Sequence, residues 1–341
     1  TFNDVTIDGF SYGMWIGEND DGVGCKYINI NRPKMLNQKY WSIYIRSLGV
    51  SNEANKTQFI NCTKPYFYNA NMAAFVVAEG HSKYITLDSP YFERCNVCMH
   101  FETCTDYTVI NPRDVDTGKK PDMVQANTEY PYTNWSMYHV FTQNAKILGG
   151  TLEKTCYHSA GFDAKSKNIH YTNVTAKEWV FEGVGSVADT DENFFENYSW
   201  VQCVSTGVFI YQQPTDIPLS YLSDFRINNS ECLLGSTGNS GNGSYIAVNI
   251  QRSKNFKLTE STIENSTLRI KCKNSCEIVG NTFNGTDETQ IQLDGVSSAL
   301  GAGASFLQFT GNIFNKAGGV VIGESAILIK NWTRVRTDNT I

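Results

Sequence analysis

The sequence predicts an all-β chain wound as a solenoid of parallel coils, with long loop insertions. Three observations carry that expectation. A loose repeat of ~20–25 residues runs through the chain: a short apolar alternation, a polar turn with Asn, Gly, Ser or Asp, then a second short strand. Two late segments, Gly280-Asn281-Thr282-Phe283 and Gly311-Asn312-Ile313-Phe314, are near copies. Sliding residues 84–102 forward by 61 sets Cys95 on Cys156, Phe101 on Phe162 and Glu102 on Asp163. A third copy with a long insertion lies between, so this register puts Glu102 and Asp163 two coils apart.

The elements follow in order. Early strands read Tyr27-Ile28-Asn29-Ile30, Phe59-Ile60-Asn61-Cys62 and Tyr84-Ile85-Thr86-Leu87. Then come Ala145-Lys146-Ile147-Leu148 and Asn168-Ile169-His170-Tyr171, and late in the chain Phe256-Lys257-Leu258, Cys276-Glu277-Ile278 and Leu307-Gln308-Phe309. Period-2 alternation puts one face of each strand inside. A single coil cannot bury that face alone, so coils stack one strand spacing apart. An antiparallel sandwich explains the alternation but not the near copies or the cysteine register. One domain is expected over 1–335, interrupted near 112–138, 184–198 and 236–244, with a tail at 336–341. Loops that long are functional or disordered, and Tyr130-Pro131-Tyr132-Thr133-Asn134-Trp135 is too aromatic for disorder.

Composition narrows the partners. Charged residues are 18% of the 341, the formal charge is −6, and there is no dense Lys/Arg cluster, which argues against nucleic acid and anionic membranes. No apolar run is long enough to span a bilayer. Ten cysteines are too dilute for a disulfide scaffold, and Cys95-x-x-Cys98 has no second pair, so they are read as small buried hydrophobes.

Chemistry is expected on one strand column. The phrases Met99-His100-Phe101-Glu102, Val140-Phe141-Thr142, Gly161-Phe162-Asp163 and Val180-Phe181-Glu182 each put an aromatic on one face and a polar group on the other. The outward row then runs Trp15, Tyr44/Arg46, Val76, His100/Glu102, Val140/Thr142, Gly161/Asp163, Val180/Glu182, Tyr211 and Gln251. Glycoside cleavage needs one carboxylic acid to protonate the leaving oxygen and a second carboxylate to activate water or attack carbon. Glu102, Asp163 and Glu182 are the candidates, and any exposed sheet face also carries some acids without using them. Arg46, His100, Trp135, Tyr157, His158 and Tyr211 are the candidate substrate-binding residues, since sugar rings stack on aromatics and their hydroxyls seek polar groups. Arg46, His100, Lys154, Tyr157 and His158 also suit a lyase, which needs a cation and a proton-abstracting base. No metal or cofactor is called for; Asp114 with Asp116 is a weak calcium candidate.

The Asn-Thr-Phe and Asn-Ile-Phe turns and the loosely kept coil length are similar to the pectate-lyase-type right-handed parallel β-helix. More narrowly, the irregular coils, large insertions and surface aromatics resemble the β-helical bodies of bacteriophage tailspikes and capsule depolymerases. That resemblance covers residues 1–335. It implies a homotrimer on a virion tail, or an extracellular protein, that binds and hydrolyses bacterial capsule, exopolysaccharide or O-antigen. Elimination on uronic acids and non-catalytic receptor binding are the alternatives. The opening Thr1-Phe2-Asn3-Asp4 reads as the start of an excised piece of something longer.

Overall fold

The computed structural model describes residues 1–17, 23–47, 52, 55–115, 135–160, 166–184, 193–212, 221–233, 246–264, 266–285, 291–295, 306–316, 327–330, 332 and 334–340. The chain divides into two compact units, residues 1–158 with 168–170, and residues 159–167 with 171–341. Both are built as parallel β-helix coils.

In the first unit successive coils pair in parallel along three ladders. The first runs through Phe2–Asn3, Lys26–Asn31, Gln58–Thr63, Lys83–Asp88, Thr105–Ile110 and Gln143–Leu148. The second runs through Thr6–Asp8, Lys34–Leu36, Tyr66–Tyr68, Tyr91–Glu93 and Arg113–Val115. The third runs through Met14–Ile16, Trp41–Arg46, Ala73–Ala78, Val97–Glu102 and Trp135–Val140. These parallel pairings exclude the antiparallel sandwich. The alternation read from sequence names the core: Ile30, Cys62, Leu87, Val109 and Ile147 stack in one fully buried column. Met35, Phe67 and Phe92 form another. Each such side chain contributes about 1.5–3 kcal/mol by leaving water.

The corner between first and second ladders repeats one backbone solution. Arg32, Lys64, Ser89 and Asn111 each have positive φ and donate their N–H to the next coil, to the carbonyls of Thr63, Asp88, Ile110 and Leu148. Pro33, Pro65, Pro90 and Pro112 follow them. Proline fits because no ladder bond is required of its nitrogen. In the next coil Gly149 and Gly150 take these places; a side chain on Gly150 would meet the Pro112 carbonyl at 2.3 Å.

A second left-handed position opens the first ladder. It is held by Tyr27, Phe59 and Tyr84, then by Asp106, Asn144 and Asn168. Asn and Asp tolerate this conformation, whereas aromatics do so at a cost. The three rings offset it by stacking, Tyr27 on Phe59 at 5.0 Å and Phe59 on Tyr84 at 4.9 Å. The polar residues instead link by amide hydrogen bonds, Asn144 to Asp106 at 3.0 Å and Asn168 to Asn144 at 2.8 Å.

In the second unit long strands run through a corner and serve two ladders. Ile246–Thr259 pairs at its start with Ile210–Gln212 and at its end with Tyr221–Asn228. Trp179, Phe181, Tyr198, Trp200 and Phe225 pack its core, so Trp179 is structural. The two near-copy segments lie directly on one another, Phe283 on Phe314 at 5.0 Å. Asn281 and Asn312 are fully buried; Asn281 Nδ2 donates to Leu258 O and to Asn312 Oδ1, and its Oδ1 accepts from Ser261 N. Asn281→Ala orphans these buried partners and is expected to destabilise the chain by about 2–4 kcal/mol. Urea denaturation checks it; a change below about 1 kcal/mol contradicts the account.

Several boundaries differ from the expectation. Trp135–Val140 and Asn193–Val201 are strands, so the first two insertions end earlier than 138 and 198. Arg334–Thr340 pairs with Phe306–Lys316 where a tail was expected. Residues 116–134, 185–192 and 234–245, the bulk of the expected insertions, lie outside the described residues. Nine cysteines are described, all free thiols and eight of them buried, with Cys62 and Cys232 pushed up to about 12 by desolvation, as small apolar packing units require.

Candidate functional site

The outward side of the third ladder in the first unit gathers aromatic, acidic and basic groups. Its column runs Trp15, Tyr44, Val76, His100, Tyr138 and Cys156. The sequence reading holds as far as His100. Beyond it the register differs: Glu102 pairs with Val140, and Val140 with His158. Two coils on from Glu102 therefore stands His158, not Asp163, and Cys156 aligns with His100 rather than Cys95. A constant slide of 61 fails because loop lengths vary between coils. Thr142 is also not in the outward row; it is fully buried and accepts a hydrogen bond from Tyr107 Oη at 3.2 Å.

The remaining expected residues scatter. Asp163 lies outside the described residues, as do the side chains of Tyr157, His158 and Glu182. Tyr157 takes the register position of His139. Tyr211 belongs to the second unit, where it registers with Val180 and Asn249 and is nearly buried beside Val208. Trp135 begins a strand instead of projecting from a loop, and its ring stacks on Tyr138 at 4.3 Å.

What the fold does bring together is Arg46, His100, Glu102 and one acid the sequence reading missed, Glu79. Glu102 Oε2 lies 3.4 Å from His100 Nε2. Glu79 Oε2 lies 3.7 Å from Arg46 Nε, and the Arg46 guanidinium sits over the Trp15 ring at 5.2 Å. Tyr44 stands among them. Burial, its hydrogen bond to Glu79 and the nearby Glu102 charge push its hydroxyl far above the ordinary tyrosine range. Glu79 follows the strand Ala73–Ala78 at the corner, where φ is +54°; a corner residue has no alternation to reveal its side. Glu79 and Glu102 sit on neighbouring coils, one register position apart, since Phe101 pairs with Val77.

Aromatic rings border this polar cluster. Trp41 stacks on Tyr44 at 4.2 Å on one coil and Trp135 on Tyr138 three coils on. Between them the outer residues are small: Ala73, Val76, Ala78 and Val97. Trp15 is 45% exposed. The arrangement packs half-buried rings on small buried apolar residues and sets two partly exposed carboxylates beside them, each next to a basic group.

His139 is on the inside of the same strand. It is fully buried, contacts Tyr107 Oη through Nδ1 at 2.6 Å, and is held down to about 3 by desolvation and by His100. Asp114 takes the core position of Phe92 in the next coil, and burial raises its carboxyl to about 6 against the Ser136 hydroxyl it accepts from. Among the described residues no three His, Cys, Asp or Glu side chains gather as a metal site, and Asp116 lies outside them. No helix of the described residues is long and apolar enough to cross a membrane. No protein-family model, curated protein or solved structure matches the chain.

Proposed function

We propose that the chain binds and hydrolyses a bacterial surface polysaccharide on the outer face of its first unit, as the body of a tailspike-like depolymerase. The observation that carries this reading is the pairing of Glu79 with Arg46 and Glu102 with His100 on adjacent coils, beside the exposed Trp15 ring and the half-buried Trp41 and Trp135. Hydrolysis of a glycosidic bond uses two carboxyl groups about 5–5.5 Å apart for retention or about 6.5–9.5 Å for inversion. Glu102 acts as the acid that protonates the leaving oxygen. Glu79 faces the Arg46 guanidinium, whose charge complements a carboxylate, and acts as the nucleophile or base. Trp41 and Trp135 hold sugar rings on either side.

The test is incubation with a panel of purified capsules, exopolysaccharides and O-antigens, followed by chain length. Shorter chains with new reducing ends are expected. Ultraviolet absorbance of an unsaturated uronate assigns the cleavage to elimination instead, and tight binding with no shortening assigns the surface to adhesion. Trp135→Ala is expected to weaken saccharide binding about 2–10-fold by removing one stacking wall. On this reading the protein works at the cell exterior or on a phage tail as a homotrimer, which sedimentation equilibrium checks.

A further inference from the structure

The second unit carries a groove of about 240 Å³ where Ile246–Thr259, Thr267–Val279 and Ile291–Gly295 pair, lined by Gln251, Arg269, Lys271, Gln292 and Asp294 among others. Parallel register places Asn249, Arg269 and Gln292 in one column and Lys271 beside Asp294 in the next. The groove therefore holds two cations and one carboxylate, against a chain whose formal charge is −6. Lys271 has its counter-ion in register. Arg269 does not: its column neighbours are amides, its Nε is shielded from water without a hydrogen-bond partner, and it has no ion pair among the described residues. A guanidinium left this way is a fork of donors that matches a carboxylate in two bonds. The amides beside it are already ordered, with Gln251 Nε2 on Asn249 Oδ1 at 2.7 Å and Gln212 Oε1 accepting from Gln251 N and Arg252 N. Ordered amides flanking a cation suit a ligand that carries hydroxyls around one acid group. The volume is below that of a drug-sized pocket and fits one small unit.

We infer that this groove binds the carboxylate of an acidic sugar residue through Arg269, with Gln251 and Gln292 taking its hydroxyls. That the acid is borne by a sugar rests on the polysaccharide reading above. The experiment is calorimetric titration of the full chain with a glucuronate-containing oligosaccharide and with its methyl ester. Binding of the acid form is expected, with the ester at least 10-fold weaker. Arg269→Gln is expected to lose 10-fold or more and Arg269→Lys to fall between, because lysine gives a point charge in place of a fork. Gln292→Ala, beside Arg269 in the column, supplies a milder loss should Arg269→Gln fail to melt like the parent. Equal binding of acid and ester, unchanged binding by Arg269→Gln, or equal displacement by a Glu-rich peptide overturns the inference; the last makes an acidic protein the ligand. Glu102→Gln is expected to leave this binding intact. A parent chain that binds the uronate but cleaves no polymer therefore sinks the hydrolase reading and not the subsite, while cleavage of a neutral polymer without uronate binding does the reverse.

Discussion

Glu102→Gln is expected to lower polysaccharide cleavage by about 10²–10⁴-fold while leaving saccharide binding within a few-fold of the parent. The amide keeps the size of the side chain and can still meet His100, 3.4 Å away, but has no proton to give a leaving oxygen. Glu79→Gln is expected to act as strongly, since it removes the other carboxylate and leaves Arg46 facing a neutral group. The double variant should be little worse than either single one, because the two act in one step. The measurement is the initial rate of reducing-end release, alongside binding by calorimetry. Undiminished release from both single variants removes this pair from the chemistry. Arg46→Gln separates the roles further: a change in the pH profile of the rate marks an electrostatic effect on Glu79, whereas a uniform fall marks lost binding.

The second large effect is on stability in acid. The unfolded chain protonates a histidine near its ordinary 6.5, but folded His139 resists protonation down to about 3. Between those values the unfolded state holds more protons, so stability falls as pH drops through the window, by on the order of 3–5 kcal/mol in full. Asp114 works the other way. Its folded carboxyl titrates at about 6 against 3.8 unfolded, so the folded state holds more protons between them. Stability from Asp114 rises as pH falls from about 6 to about 4, partly cancelling the histidine. His139→Phe is expected to flatten the pH dependence of unfolding between about 6.5 and 3, and Asp114→Asn to steepen it. Urea unfolding at a series of pH values reads both slopes. Parallel curves for the parent and His139→Phe reject the buried histidine as the acid trigger.

The fold was legible where the signal is local. Ile30, Cys62 and Leu87 alternate with polar residues over four or five positions, which is enough to mark strands and their buried side. The Gly-Asn-x-Phe copies were legible for the same reason, and their stacking through Asn281, Asn312, Phe283 and Phe314 follows from identical backbone needs in successive coils. The candidate site was legible only as far as the coils keep a regular length. Trp15, Tyr44, Val76 and His100 fall in one column as read, but the next step lands on Tyr138. Glu79 was missed because it sits at a corner, where positive φ breaks the alternation that sorts inside from outside.

By itself the sequence determined most of the strands of the stack and the apolar face of each, and it marked the nine described cysteines as packing units rather than cross-links. Those properties follow from two-residue periodicity and side-chain hydrophobicity, and they survive any change in loop length. Only the tertiary structure decided which strand lies on which. That choice set His158 above Val140 and Glu102, set Glu79 beside Arg46, and left Arg269 among amides. Register is a sum over every intervening loop, so one miscounted residue moves a side chain to the opposite face.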